Sequence, residues 1–173
     1  MEALIIIDVQ NGIVNKDIYK KDEFIQNINK AIILNREKGN LIIFIQHNSI
    51  TLKNGANDWK LFNGLSTSDK DIVIQKSHGD AFIDTDIKQL LKDNNIKDII
   101  ICGLVSQGCV YHTCKSGLEN GFNVKLIKNG HTNWLKNAGQ KIDEVNIELE
   151  KMGAILISSS DIAPKRLWEV LPA

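Results

Sequence analysis

Six short apolar runs recur along the chain: LIIID (4–8), LIIFIQ (41–46), DIVIQK (71–76), DIIICG (98–103), NVKLIK (123–128) and AILIS (154–158). Most lack the alternation of a strand with one wet face, so they read as strands covered on both sides. Helix-length segments fill most of the gaps. Segment 22–38 opens with Asp22 as a candidate N-cap, sets Phe24, Ile25, Ile28, Ala31, Ile32 and Leu34 on one broad face, and stops before Gly39. Further helices are expected at 86–94, 107–120 and 137–152. Buried strands alternating with helices predict an α/β fold, a three-layer α/β/α sandwich around a six-stranded, mainly parallel sheet.

The rhythm breaks over 48–70, a polar stretch holding Gly55, Gly64 and the isolated Trp59. An excursion of this length between strands is usually functional. There is no internal repeat or low-complexity tract, and the only prolines are Pro164 and Pro172. A chain of 173 residues with 43% hydrophobic residues fits a single domain spanning 1–173.

Charge narrows the partners. The 21 basic residues balance the 21 acidic ones, leaving no net field to attract nucleic acid or an anionic membrane, so a small-molecule ligand is expected. No run approaches the length of a membrane span, and the N-terminus enters MEALIIID without a basic leader, which predicts a cytoplasmic protein. Cys102, Cys109 and Cys114 are odd in number and form no CxxC pair, so they are expected as free thiols.

Ligands of an open parallel sheet bind beyond the carboxyl ends of its strands. Asp8 ends the first strand, Lys76 ends the third, and Cys109 follows the fourth within GLVSQGCVYHT. A thiol at the first turn of a helix is expected to have a depressed pKa, and a neighbouring lysine acts the same way. Thiol, carboxylate and ammonium together supply a nucleophile, a proton acceptor and a positive charge. Cys102, inside a strand, and Cys114, on an apolar helix face, read as core. Val110, Cys114, Gly117, Leu118 and Gly121 form a stripe of apolar and small residues that lets the helix lie close on the sheet. Four further residues are candidate substrate contacts: Gln10, His47, Trp59 and Phe82; His131, near Trp134, is a fifth.

Three blocks, IIIDVQNG, VIQKSHGDAFIDTDIKQLL and IICGLVSQGCVYHTCKSGLENGF, resemble the isochorismatase-like cysteine hydrolase superfamily in order and in strand placement. That superfamily includes nicotinamidases, ureidoacrylate hydrolases and streptothricin hydrolases. The resemblance implies catalytic Asp8, Lys76 and Cys109, with Cys109 attacking a carbonyl, Asp8 relaying its proton to the departing amine and Lys76 stabilising the charge. It also implies a cis peptide between Leu104 and Val105, and an oxyanion hole from the backbone amides of Val105 and Cys109. Isochorismatases proper cleave a vinyl ether and lack the cysteine, so Cys109 directs the expectation to C–N bonds of amides, ureides or lactams.

The metal-binding members carry Asp-x-His after the second strand, where this chain has His47 and Ser49; no metal and no cofactor are therefore expected. The segment around QHN and the later GHTNW resemble the metal-independent, streptothricin hydrolase-like branch, although Asn129 stands where Asp is usual and Gly117 where Ala is usual. Relatives are usually dimers or tetramers, which makes a homo-oligomer the expectation. The alternatives fare less well. A phosphoacceptor domain needs an acidic pair beside Asp8 and an Asp where Lys76 stands, and GLVSQGCV lacks the lysine of a phosphate loop. The rival is an inactive binding or scaffold protein of the same fold.

Overall fold

The structure is a computed structural model, described over residues 1–162; Pro164 and Pro172 lie outside the described residues. Six strands, β1 (Ala3–Ile7), β2 (Leu41–His47), β3 (Ile72–Lys76), β4 (Asp98–Leu104), β5 (Asn123–Thr132) and β6 (Ile155–Ile157), form one sheet in the order β3-β2-β1-β4-β5-β6. Every pairing is parallel. The helices are α1 (Asn11–Val14), α2 (Lys21–Glu37), α3 (Ile87–Asp93), α4 (Tyr111–Glu119) and α5 (Ala138–Lys151). Among the described residues, no helix is long and apolar enough to cross a membrane.

The runs lack alternation because both sheet faces are covered. On one face Ala3, Ile5, Ile7, Ile43, Ile45, Ile99 and Ile101 pack with Leu91, Cys114, Val145 and Leu149 from α3, α4 and α5. On the other, Leu4, Ile6, Ile42, Phe44 and Ile100 meet Phe24, Ile28, Ala31 and Ile32 of α2. Every residue of β1 is therefore buried, each large side chain contributing roughly 2–3 kcal/mol of transfer free energy. The edge strand β3 differs, since its buried and open positions alternate and Val73 is exposed.

Several local expectations are corrected. Helix α2 begins at Lys21 after Lys20 in a left-handed conformation, so Asp22 lies in the first turn, where its charge favours the helix dipole, and does not cap it. The expected helix 107–120 is two pieces, a π-type turn at Ser106–Val110 and then α4, because Gly108 (φ −114°, ψ −112°) interrupts the regular winding. Gly121, placed on the helical stripe, lies beyond the helix with φ +84°. Gly117 does lie close on the sheet, where a Cβ would come within 3.0 Å of Ile99 and Val124. Strand β5 runs on to Thr132, which puts His131 in the sheet. The excursion after β2 is pinned by an antiparallel bridge between Gln10 and Leu61 and, at its far end, by Arg36 clasping both oxygens of Asp71 at 3.0 and 2.9 Å.

Strands β1 and β4 are neighbours from which the chain winds in opposite directions, so the carboxyl ends of this pair mark the switch point where open sheets bind ligands. Gly103 allows their close approach there. Its φ is +125°, and a Cβ would sit 2.2 Å from the Ile7 carbonyl oxygen and 2.6 Å from the Ile7 nitrogen. Gly103→Ala must move backbone, and is expected to cost at least about 3 kcal/mol. That corresponds to a thermal midpoint lower by about 6–12 °C or more; an unchanged midpoint would contradict this packing.

Candidate active site

Three strand ends converge at the switch point. Asp8 follows β1 in a left-handed conformation (φ 53°) that an aspartate tolerates better than most residues. Its amide donates to the Ile45 carbonyl at 3.0 Å, and its carbonyl accepts from Gln10 at 2.9 Å. Lys76 is the last residue of β3, almost wholly buried. Cys109 sits in the π-type turn after β4 and is partly exposed.

Lys76 Nζ is the hub. It lies 2.9 Å from Asp8 Oδ2, 2.8 Å from His47 Nδ1, 3.0 Å from the His78 carbonyl oxygen and 3.3 Å from Cys109 Sγ. An ammonium has only donors, so the neighbouring Nδ1 of His47 accepts and the imidazole carries its proton on Nε2. Burial, reinforced by the Lys76 charge, holds His47 below the usual imidazole range, consistent with that neutral ring.

Electrostatics at the sulfur run opposite to the expectation of a depressed thiol. Burial, then the Asp8 charge, pushes the Cys109 thiol up to about 12, with Lys76 pulling the other way. Burial also raises the Asp8 carboxyl above its usual range, opposed first by Lys76 and then by the Cys109 hydrogen bond. The sulfur therefore rests as a thiol, with the Asp8 carboxyl beside it. Asp8 Oδ1 is buried with no N–H or O–H donor, which leaves an acceptor for the thiol proton. Cys109 follows the kink at Gly108 and precedes α4 by two residues.

The other candidates are placed as follows. His47 joins the hub. Gln10 is fully buried, donates to the His47 and Trp59 carbonyls at 3.1 and 2.8 Å, and accepts from the His47 amide at 2.9 Å. Its amide hydrogens are committed to tying the excursion to β2, so Gln10 is a scaffold for the site and not a substrate contact. Trp59 donates its indole N–H to Asn48 at 2.6 Å. Phe82 packs on Phe122 in a tilted pair, centroids 5.8 Å apart, and is half-buried against the core. His131 is buried, between Ser106 and Asn146. The Leu104–Val105 peptide is cis, and the Val105 carbonyl closes the turn by accepting from Gly108 at 3.1 Å and Val110 at 3.3 Å.

Sequence reasoning missed the His78 carbonyl and Ser106. Neither carries a signal in residue type, since one acts through its backbone and the other is an ordinary serine. Cys102 and Cys114 are free thiols, fully buried, and burial raises both.

For a metal, Asp8, His47 and Cys109 offer ligand atoms within 4.8 Å of one another. The Lys76 ammonium already occupies hydrogen-bond positions to all three, and a second cation there would be repelled. Ser49, at the other position of the metal-binding pattern, bonds Thr51 and the Leu52 amide. These residues do not fit a divalent ion.

The arrangement of one cysteine, one aspartate and one lysine at the switch point of this sheet has its counterpart in sequence. Residues 2–161 match the family model described as the isochorismatase domain. The chain belongs to the isochorismatase family. Among its relatives, the isochorismatase family protein YrdC of Bacillus subtilis is 33% identical over 132 residues, covering 73% of this chain and 71% of the relative. Streptothricin hydrolase of Streptomyces noursei is 25% identical over 142 residues, 78% of this chain but 55% of the relative, so the chain spans about half of that enzyme's length. The ureidoacrylate amidohydrolase RutB of Klebsiella pneumoniae is 25% identical over 66% of each chain. A crystal structure of an isochorismatase family protein superposes with a TM-score of 0.85 at 26% identity, covering 91% of this chain and 98% of that one. The six-stranded parallel sheet is thus the family fold, and the chain is an isochorismatase-family hydrolase.

Proposed function

We propose that this isochorismatase-family hydrolase cleaves a C–N bond of a small amide, ureide or lactam through a thiol nucleophile. The observation that carries the reading is the placement of Lys76 Nζ within hydrogen-bond distance of both Asp8 Oδ2 and Cys109 Sγ, at the rim where open sheets bind ligands. The name of the ureidoacrylate amidohydrolase relative supports the same bond class, and that of the streptothricin hydrolase relative supports hydrolysis.

In this mechanism Asp8 takes the thiol proton as Cys109 Sγ attacks the substrate carbonyl carbon, so that no free thiolate need persist in a site that disfavours one. The amides of Val105 and Cys109 receive the charge that develops on the carbonyl oxygen. As the C–N bond breaks, Asp8 passes the proton to the departing nitrogen, leaving a thioester on Cys109. Water then attacks the thioester carbon, giving one proton to Asp8. The C–S bond breaks, the acid leaves, and Asp8 returns the proton to sulfur. Lys76 stabilises Asp8 as a carboxylate at the start of each half-reaction.

The test is to incubate the protein with a panel of primary amides, ureides and lactams and to map covalent mass on its peptides. An acyl mass on the Cys109 peptide is the expected result, with matching release of ammonia or amine from an amide or ureide and with the freed amine kept on the acyl group from a lactam. Turnover should persist after chelation with EDTA, because the Lys76 ammonium fills the place a metal would take. Loss of turnover on chelation with recovery on adding zinc would overturn the metal-free mechanism. A panel that yields neither adduct nor product would favour the scaffold reading.

A further inference from the structure

We propose that His131 is a positioning residue that acts through Ser106 to hold the turn carrying Cys109 in register with Asp8 and Lys76. The inference rests on the hydrolase reading for its consequence in turnover, but its geometry stands independently.

His131 and Ser106 are both buried. The imidazole lies 2.8 Å from Ser106 Oγ through Nδ1 and 2.9 Å from Asn146 Oδ1 through Nε2. The Asn146 amide is oriented by its own Nδ2, which donates to the Lys128 carbonyl at 3.4 Å, so a carbonyl oxygen faces the ring. Nε2 therefore carries the proton and Nδ1 accepts from the Ser106 hydroxyl. Ser106 Oγ in turn accepts from Asn133 Nδ2 at 3.5 Å. Burial lowers the imidazole to about 4, which keeps this neutral tautomer at ordinary pH.

The chain of bonds runs from α5 through β5 to the first residue of the turn, three positions before the sulfur. Within the turn's own neighbourhood the Val105 carbonyl accepts from Gly108 and Val110, Val110 packs in the core and Cys109 Sγ meets Lys76. The Ser106 side chain adds the hydrogen bond that ties the start of the turn to β5 and, through His131, to α5. A reacting sulfur needs that tie, because a displacement of about 1 Å can cost about 100-fold in rate.

The experiment compares Ser106→Ala, His131→Leu and His131→Asn with the wild type. Cys109 alkylation by iodoacetamide is followed by peptide mass from about pH 7 to 10, and kcat and KM are measured on the substrate found above. Cys102 and Cys114, being buried, serve as internal markers of an intact fold. In the wild type the alkylation rate should climb across the range without a plateau, since burial and the Asp8 charge push the thiol up. In Ser106→Ala and His131→Leu the loosened sulfur moves away from the Asp8 charge toward water, and a plateau should appear near the ordinary thiol value of about 8.5. Alkylation near neutral pH then rises about tenfold or more while kcat falls by at least about tenfold, with KM within about twofold. His131→Asn loses the Asn146 bond but keeps an acceptor for the Ser106 hydroxyl, and should retain most of the wild-type behaviour in both measurements.

A folded Ser106→Ala with the wild-type alkylation profile would overturn the proposal, as would a His131→Asn variant as impaired as His131→Leu. Ser106→Ala carries the test alone if His131→Leu fails to fold. A protein that hydrolyses nothing still gives the alkylation comparison, so failure of the hydrolase reading and failure of the positioning role are told apart.

Discussion

Replacing Cys109 with alanine is expected to remove turnover, by about 10⁴-fold or more, while leaving the fold in place. The two halves of that outcome come from different features of the site. Loss of activity follows because Cys109 supplies, among the described residues, the thiol beside Lys76 and Asp8, and removing the atom that forms the acyl bond leaves only binding and electrostatic stabilisation. Retention of the fold follows because Cys109 is partly exposed and its side-chain hydrogen bonds are with Asp8 and Lys76, which keep each other, and Lys76 keeps His47 and the His78 carbonyl as well. The stability change should stay within about 1 kcal/mol. Serine at this position should be as inactive, since an alcohol is harder than a thiol to deprotonate in a site that already pushes the thiol up to about 12. Kinetics and a thermal melt on the same preparations decide the matter. Residual activity within about tenfold of wild type would place the nucleophile elsewhere, and a collapse of the melt would mean that the loss reports folding and not chemistry.

The parts of this design that are legible in the sequence are those set by burial and by the ends of strands. The run LIIID predicts a strand ending at Asp8 because five consecutive buried residues need no alternation, and the same logic leads to Lys76 and to the turn after β4. Their meeting is not in the pattern itself, which carries no information about distance; it comes from the sheet order, in which β1 lies between β2 and β4, and the family motifs supply what periodicity cannot. Finer detail was lost where the backbone departs from regular winding. GLVSQGC reads as the start of one regular helix, yet Gly108 kinks it into a π-type segment, and burial with the Asp8 charge pushes the Cys109 thiol up instead of down. Gln10 illustrates a second loss. A polar residue near a candidate site reads alike whether it faces substrate or structure, and only the hydrogen-bond partners of Gln10 separate the two. His131 reads as a candidate substrate contact because the strand signal fades at Lys128, while the sheet continues through Asn129 and Gly130 to Thr132.

Lys76→Met is expected to be the most destabilising change at the site, at about 3–5 kcal/mol near neutral pH, and to depress turnover as well. Lys76 is the cation within hydrogen-bond distance of Asp8, a carboxylate buried at 1% exposure, and methionine of similar length fills the space without the charge. The pH dependence of the deficit separates this cause from a packing defect. Asp8 is already raised above its ordinary 3.8 by burial, and Lys76 is the largest influence holding it down, so removing Lys76 raises it further. A carboxyl raised on folding binds its proton more tightly in the folded state than in the unfolded one. The penalty is therefore absent below the unfolded value of 3.8 and grows as pH rises through the folded value. Relative to wild type, the deficit should shrink as pH is lowered from neutral. The double variant Asp8→Asn/Lys76→Met, which has no charge to bury, should recover most of the lost stability and none of the activity. A deficit that is the same at every pH, or a double variant no more stable than Lys76→Met, would show that Lys76 acts by filling space, and the electrostatic account of Asp8 as a carboxylate held ready by an ammonium would fall with it.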